Sequence, residues 1–386
     1  MKTFPSIFFY IFCILFLTFI WAFTDYWNGN INDYLVISAN RMDKSTFVFA
    51  IYGLFLLLFW TINTQAKFQG IHLVCILWIL IMPIIMHFNK ERLYNYAYTI
   101  LWPVIFEVTY LLYGHFEGRV KALRYVFIII AVYGVYLFFQ TRNMIAMQTN
   151  TIYFSLLTLP WLLYGQDKRV KNILMVVFTL LAMLSLKRSA MLSMAFSWFF
   201  YTMEMIKNRK NLFYSFIIIG VISIGVMQLY NRINYQLEGV LSERVNREEV
   251  DEGRNRLAIW NLTMAMIQSS PTDKLIKGHG HYGVKKNSML EISAHNDFLE
   301  VLYDYGIIIF VLYLCLWGHV LRRCYYLYKM RSSLFLPYSV SLSIFMIMSM
   351  VSHLILYASY FIYLVMFWAM VEAKMRTFAN NKRNIY

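Results

Sequence analysis

Charge is what this sequence is short of. Only 14% of its 386 residues are Asp, Glu, Lys or Arg, against about 25% in a soluble domain. With 60% hydrophobic residues and a mean hydropathy of +0.53, that shortage excludes an ordinary soluble globule. Cysteine is scarce too. Cys13, Cys75 and two others, Cys315 and Cys324, make up the full set of 4. Three fall in apolar runs and one just beyond a run. No CxxC pair occurs, which argues against disulfides and against a zinc site. Of 6 prolines, Pro103 and Pro160 fall inside apolar runs, where neighbouring helices absorb the lost hydrogen bond. No internal repeat and no low-complexity segment is found. Acidic residues are outnumbered, and the net charge of +15 would suggest nucleic acid in a soluble protein. Here membrane topology and anionic lipid explain it, so no nucleic-acid partner is expected.

What the chain has is apolar runs long enough to cross a hydrocarbon core of roughly 30 Å as helices. The fold class expected is an all-α polytopic membrane protein with about 12 transmembrane helices. The spans are read at 4–24, 46–63, 71–88, 97–114, 125–140, 150–165, 172–186, 189–206, 211–230, 302–321, 336–356 and 358–374. The first run lacks a small-x-small cleavage site and reads as a retained signal anchor. Basic residues gather in alternate connections: Arg119, Lys121 and Arg124; Lys168, Arg169 and Lys171; Lys207, Arg209 and Lys210; Arg322, Arg323, Lys329 and Arg331. The positive-inside rule then puts both termini in the cytoplasm. Residues 1–230 form helices 1–9, 231–297 an extracytoplasmic loop, and 298–386 helices 10–12 with a cytoplasmic tail. One outer turn breaks the rule. Leu186-Lys187-Arg188-Ser189 sets two cations at an outward hairpin, and snorkelling side chains are the bland explanation.

A polar loop of that size inside an apolar chain is where chemistry is expected. Glu238 to Glu252 reads as a solvated charged arm. From Arg256 to Gln268, Leu257, Trp260, Met264 and Ile267 recur at helical spacing, giving an amphipathic helix with that face turned to the bundle or the lipid interface. Ser270-Pro271 ends it. Gly278-His279-Gly280-His281-Tyr282-Gly283 is loop by its glycines. Asn296 or Asp297 then caps a helix, and Asp297 with Glu300 has the spacing of an acidic capping box. That helix runs through Leu299, Leu302 and Tyr305 into the tenth span.

His295 precedes this cap, beside the positive end of the helix dipole, where imidazole is favoured over imidazolium. A neutral imidazole can take a proton from a hydroxyl as a general base. A hydrogen bond to its own loop is the competing role. Arg254 and Arg256 open the amphipathic helix, and Arg188 sits at the outer mouth of the bundle. Guanidinium groups hold phosphate oxygens bidentately and stay charged. Three of them at one vestibule suit a diphosphate, with ordinary surface charge as the alternative. Asn296 and Glu300 are expected to orient the loop. Glu107, inside a span, is a costly charge that needs protonation, a partner or water.

Three elements together resemble the O-antigen ligase and polymerase superfamily of membrane glycosyltransferases. Ser185-Leu186-Lys187-Arg188-Ser189-Ala190 is similar to the family's Ser-x-x-Arg-small pattern at the outer end of a span. Gly253-Arg254-Asn255-Arg256-Leu257-Ala258-Ile259-Trp260 is similar to its Arg-to-Trp segment, with Gly278 and Gly280 after it. His295-Asn296-Asp297-Phe298-Leu299-Glu300, followed by Tyr305-Gly306, is similar to its His-Asn-x-x-Leu…Gly signature. Ser189 stands where a glycine is frequent, and Ile307-Ile308-Ile309 lacks a second glycine.

The resemblance implies a bacterial cytoplasmic (inner) membrane enzyme that moves a glycan from an undecaprenyl diphosphate carrier to an acceptor hydroxyl outside the cytoplasm. It implies no nucleotide sugar, no metal and no other cofactor. The partners it implies are carrier-linked donor and acceptor oligosaccharides, the lipid bilayer and a chain-length regulator. Arg188 and Arg254 would stabilise charge on the leaving diphosphate, Arg256 would be a further phosphate ligand, and His295 would activate or position the acceptor. A polysaccharide (O-antigen or capsule) polymerase is preferred. A ligase acting on lipid A core, and, in another class, a lipid-linked oligosaccharide flippase, remain open alternatives.

Overall fold

The computed structural model describes residues 70–91, 93–115, 120–140, 152–185, 187–206, 256–289, 291–352, 354–356 and 358–383. Every regular element among them is a helix: α1 (Ile71–Phe88), α2 (Leu93–His115), α3 (Val120–Gln140), α4 (Ile152–Leu163), α5 (Lys168–Leu184), α6 (Arg188–Ile206), α7 (Arg256–Gln268), α8 (Thr272–Lys277), α9 (Gly283–Asn287), α10 (Asp297–Lys329), α11 (Phe335–Val351) and α12 (Ala358–Arg383). The expected spans at 4–24, 46–63 and 211–230 lie outside the described residues, as do Arg254 and the charged arm. Nine of the expected spans fall on described helices. Among the described residues, α1 and α10 are the helices long and apolar enough to cross a membrane.

Burial follows helical periodicity. α1 buries Ile71, Val74, Cys75, Trp78, Met82 and Ile85, while Leu73, Leu80 and Ile84 on its other side are exposed. An apolar helix with an exposed apolar flank suits lipid on that side. α12 is buried almost all round from Tyr360 to Ala373 and packs along α2, which makes it the centre of the bundle. α6 lies along α11. Ser189, Ser193 and Ser197 on α6 are buried, as are Ser339, Ser341 and Ser343 on α11, where Ser341 accepts the Trp368 indole N–H of α12. Small residues let two backbones approach, and Ser193 and Ser197 bond back to the carbonyls of Ser189 and Ser193.

The carboxylates Glu107 and Glu372 inside the bundle are paired. Glu107, the costly span carboxylate, meets His72 Nδ1 at 3.0 Å. Glu372 of α12 takes Arg323 and, at 2.9 Å, His319 of α10. Arg376 donates to Tyr110 and Lys374 to Tyr164. These last contacts lie at one end of the bundle. At the opposite end the α1–α2 turn, the α5–α6 turn and the α11–α12 turn meet α7–α9 and the start of α10.

α10 is two helices in one. Gly306 (φ 78°, ψ 177°) breaks it. The part before the break packs on α7, α8 and α9. The part after it has about 23 residues, or about 34 Å of helix, enough for a span on its own. Before the break, Tyr303 and Asp304 bond to the backbone of residues 279–284. α11 stops at Val351, short of the expected 356. Ser352 is extended, and 354–356 form a turn captured by Asp297.

Candidate functional site

The turn between α5 and α6 is tight. Ser185 closes α5 by donating its hydroxyl to the Ala182 carbonyl and receives the Lys187 N–H. α6 starts at the next residue, so Arg188 is exposed at its first position while Lys187 is half-buried. The Lys187 ammonium lies 5.4 Å from the centre of the Tyr153 ring. Tyr153, at the start of α4, shares hydrogen bonds with the Ser189 and Ser352 hydroxyls.

Arg256, opening α7, enters the same field. Burial holds its guanidinium below the usual arginine value, and Arg188 adds to that, against the pull of Tyr153. Lys187 is lowered to about 8, first by burial and then by Arg256. Arg188 and Arg256, far apart in the chain, are thus brought within electrostatic reach of one another, with Lys187 and Tyr153 beside them.

The segment around His295 is fixed from three sides. Asn296 is the N-cap of α10: its side-chain oxygen accepts from the Phe298 and Leu299 N–H groups at 3.0 and 3.2 Å. Its amide donates to the Met350 carbonyl at 3.2 Å. Glu300, buried, accepts the His295 N–H at 3.1 Å. Burial pushes its carboxyl up to about 8, in part offset by the N–H groups of His295 and Ala294. Trp260 of α7 donates to the Ala294 carbonyl at 2.9 Å. His295 itself sits at φ 53°, the left-handed region, which turns the chain sharply just before the helix.

The expected pairing of Asp297 with Glu300 as a capping box does not form. Asn296 takes the cap, and Asp297, one residue inside the helix, is fully buried and accepts the N–H groups of Leu354 and Ile355. Glu300 reaches past the cap to His295. Of the apolar face expected on α7, only Ile267 is buried. Ile259, Thr263 and Ile267 are buried, Trp260 is half-buried, and Leu257 and Met264 are 65% and 43% exposed. The helix is apolar on more than one side, and the exposed Leu257 and Met264 suit the interface that the sequence reading left open.

These contacts form one continuous rim. Trp260 ties the helix that begins at Arg256 to the residue before His295. Asn296 ties the other side of His295 to Met350. Ser352, two residues on, bonds Tyr153, and Tyr153 bonds the residue after Arg188. Arg254 lies outside the described residues, two positions before Arg256.

The glycine-histidine loop is structural. Gly278 (φ 75°) and Gly306 (φ 78°) lie backbone to backbone: a Cβ on Gly278 would stand 2.2 Å from the Asp304 carbonyl, and one on Gly306 2.2 Å from the Ile276 carbonyl. His279 stacks on Tyr303 with centroids 3.9 Å apart. His281 is buried against the Tyr305 hydroxyl at 2.5 Å, and burial lowers it to about 3. Sequence reasoning missed what anchors this loop. Glu91 accepts the His281 N–H at 2.9 Å and Lys286 at 3.2 Å, and Asn89 pairs with Lys274 and with the Lys277 carbonyl. The polar triplet Asn89-Lys90-Glu91 between two apolar runs was the available signal. Tyr153, one aromatic among 30 tyrosines, gave none.

Residues 173–314 match the sequence model of the O-antigen ligase family. This segment is similar to the O-antigen ligase family domain. It spans α5 to the first half of α10 and so contains Arg188, Arg254, Arg256, His295, Asn296 and Glu300. The family takes in O-antigen ligases and polymerases, and its members are glycosyltransferase-like. No curated protein and no solved structure matches the chain. Within the matched segment, the rim just described joins Ser189, Trp260 and Asn296 to their neighbours in the bundle.

Proposed function

We propose that the protein is a polysaccharide polymerase of the bacterial cytoplasmic membrane. It transfers a glycan from undecaprenyl diphosphate to a hydroxyl of a second carrier-linked repeat unit, on the extracytoplasmic side. The observation that carries this reading is the meeting of Arg188 and Arg256 beside the clamped His295 segment. A pair of guanidiniums suits a polyanion, and a prenyl diphosphate is the polyanion a membrane surface presents.

In the reaction, Arg188 and Arg256, with Arg254, hold the diphosphate. The acceptor hydroxyl attacks the anomeric carbon, its proton passes to His295, and the bond from that carbon to the diphosphate oxygen breaks. The guanidiniums stabilise the charge gathering on that oxygen. A single displacement inverts the anomeric centre. Asn296 and Glu300 hold His295 in place through the cap and the backbone. The loop face is outward because the opposite end carries Lys168, Arg169, Lys171, Lys374 and Arg376.

A ligase that transfers the glycan to lipid A core is the second reading, favoured by the description of the matching family as O-antigen ligase. Reconstitution with a synthetic undecaprenyl-diphosphate repeat unit separates the two. Chain lengthening without added core supports the polymerase, and transfer only when lipid A core is supplied supports the ligase. Passage of intact substrate across a vesicle, with no new glycosidic bond, supports a flippase and ends both.

A further inference from the structure

The segment that carries α8 and α9 is basic. From Thr272 to Ser288 it holds Lys274, Lys277, Lys285 and Lys286, with Asp273 as its one acid. None of these belongs to the rim. Lys286 pairs with Glu91 at 3.2 Å. Lys274 and Lys277 instead meet neutral groups at the end of α1. The Lys274 ammonium donates to the Asn89 side-chain oxygen at 3.0 Å, and the Lys277 ammonium stands 4.8 Å from the centre of the Phe88 ring. The carbonyl end of α8 favours a cation, but that explains neither the aromatic seat nor what lies below it. Leu80, Ile84 and Phe88 recur at one helical turn on α1 and are 59%, 55% and 58% exposed. α1 is long and apolar enough to cross a membrane, where this stripe meets acyl chains. Phe88 is the last residue of the helix and so lies where chains give way to headgroups. A lysine over an aromatic ring at that level has the composition of a membrane interface. Ile276, exposed beside Lys277, and Lys90, exposed just past Phe88, extend the same edge.

We infer that this edge binds an anionic phospholipid of the leaflet on the rim side. Its phosphate sits at Lys277 and Lys274, which are three residues apart and so neighbours on α8. One acyl chain runs down Leu80 and Ile84. The two halves of the edge, cations above and an apolar stripe below, fit a single amphiphile. A soluble anion would use only the lysines, and a glycan would leave the stripe empty. Asn89 also donates to the Lys277 carbonyl at 3.0 Å, so a lipid held here grips α8 and the end of α1 at one joint. It fastens the loop that α8 carries to the bundle. The inference needs α1 across the membrane and does not rest on the reaction proposed above.

The test uses the full-length protein in discs of phosphatidylcholine doped with phosphatidylglycerol that carries a photoreactive group high on one acyl chain. Labelled peptides are mapped by mass spectrometry after illumination. Label is expected on residues 80–88, and unlabelled phosphatidylglycerol, but not extra phosphatidylcholine, is expected to displace it. Lys277→Gln should lower that label about fivefold, and Lys274→Gln with Lys277→Gln should lower it further, since each lysine near a headgroup attracts it by a similar factor. Lys274→Arg with Lys277→Arg should keep it, and a loss there would overturn recognition by charge. Equal labelling by the matching phosphatidylcholine probe overturns the inference. So does undiminished labelling of a double glutamine variant that melts like wild type. Displacement by a soluble uronic-acid oligosaccharide and not by phosphatidylglycerol overturns it too, and assigns the lysines to glycan. If the glutamine variants fail to fold, the two probes on wild type decide alone. None of these readouts uses glycan transfer, so failure of the transferase reading leaves the lipid site standing.

Discussion

At the scale of single residues, Arg188 and His295 separate function from fold. Arg188 is exposed at a helix start, so Arg188→Ala should leave the melting temperature unchanged while glycan transfer in reconstituted vesicles falls about 100-fold, the scale for losing one donor to a developing negative charge. His295 occupies a left-handed backbone position, which asparagine tolerates better than alanine. His295→Asn should keep wild-type stability and His295→Ala should lose about 1 kcal/mol, yet both should lose transfer. Thermal melts with transfer assays check this, and a fully active His295→Asn ends the general-base role. Glu300 supplies a pH dependence. Its folded carboxyl is raised from 4.5 to about 8, so the folded state binds the extra proton in that window. Its contribution is complete in acid and is lost as pH rises toward about 8. Glu300→Gln should flatten the decline in melting temperature between those values, and an unchanged slope would show that another group, such as its neighbour Asp304, sets it. The arginines, His295, Asn296 and Glu300 were legible as side chains of suggestive type. Lys187 was legible only as an anomaly, because the direction in which a long side chain folds depends on Tyr153, which no motif marks.

At the scale of elements, long apolar runs were the easiest to read, since lipid leaves helices as the natural backbone solution. Most described helices begin within a few residues of where the runs do, but α10 and α12 continue eight and nine residues beyond the expected ends at 321 and 374. Ends set by tertiary contacts were not legible. α11 stops early because Asp297, on another helix, takes the N–H groups of the following turn. Spacing on α7 did not separate the stripe that meets the bundle from the one left exposed, because Leu257 and Met264 are as apolar as the residues that turn inward. The joint between α8 and α10 gives a sharp test. A methyl group at Gly306 would collide with main chain, not with a flexible side chain, and would also be forced into a left-handed position. Gly306→Ala should cost about 3 kcal/mol and expose residues 269–289 to limited proteolysis. A variant cut no faster than wild type would show that the loop docks without this contact.

At the scale of the whole molecule, the described bundle has two unlike ends, one bearing the rim and the other the basic connections. Sequence predicted that division from loop charge alone, and the contacts of Asn89, Glu91 and Asp297 gather the loops that charge assigned to one side. Cysteine labelling tests the orientation. In a protein with its native cysteines replaced, Lys277→Cys should react with a membrane-impermeant maleimide on intact spheroplasts, and Arg331→Cys only after permeabilisation. The reverse pattern would turn the rim to the cytoplasm and remove the carrier-linked reaction. The Gly278–Gly306 contact has a consequence for motion as well. Because main chain alone sets the seat of the loop, no rotamer change can loosen it gradually. If the rim opens to admit a glycan, it must swing about that seam as a single leaf, or the first turns of α10 must travel with it.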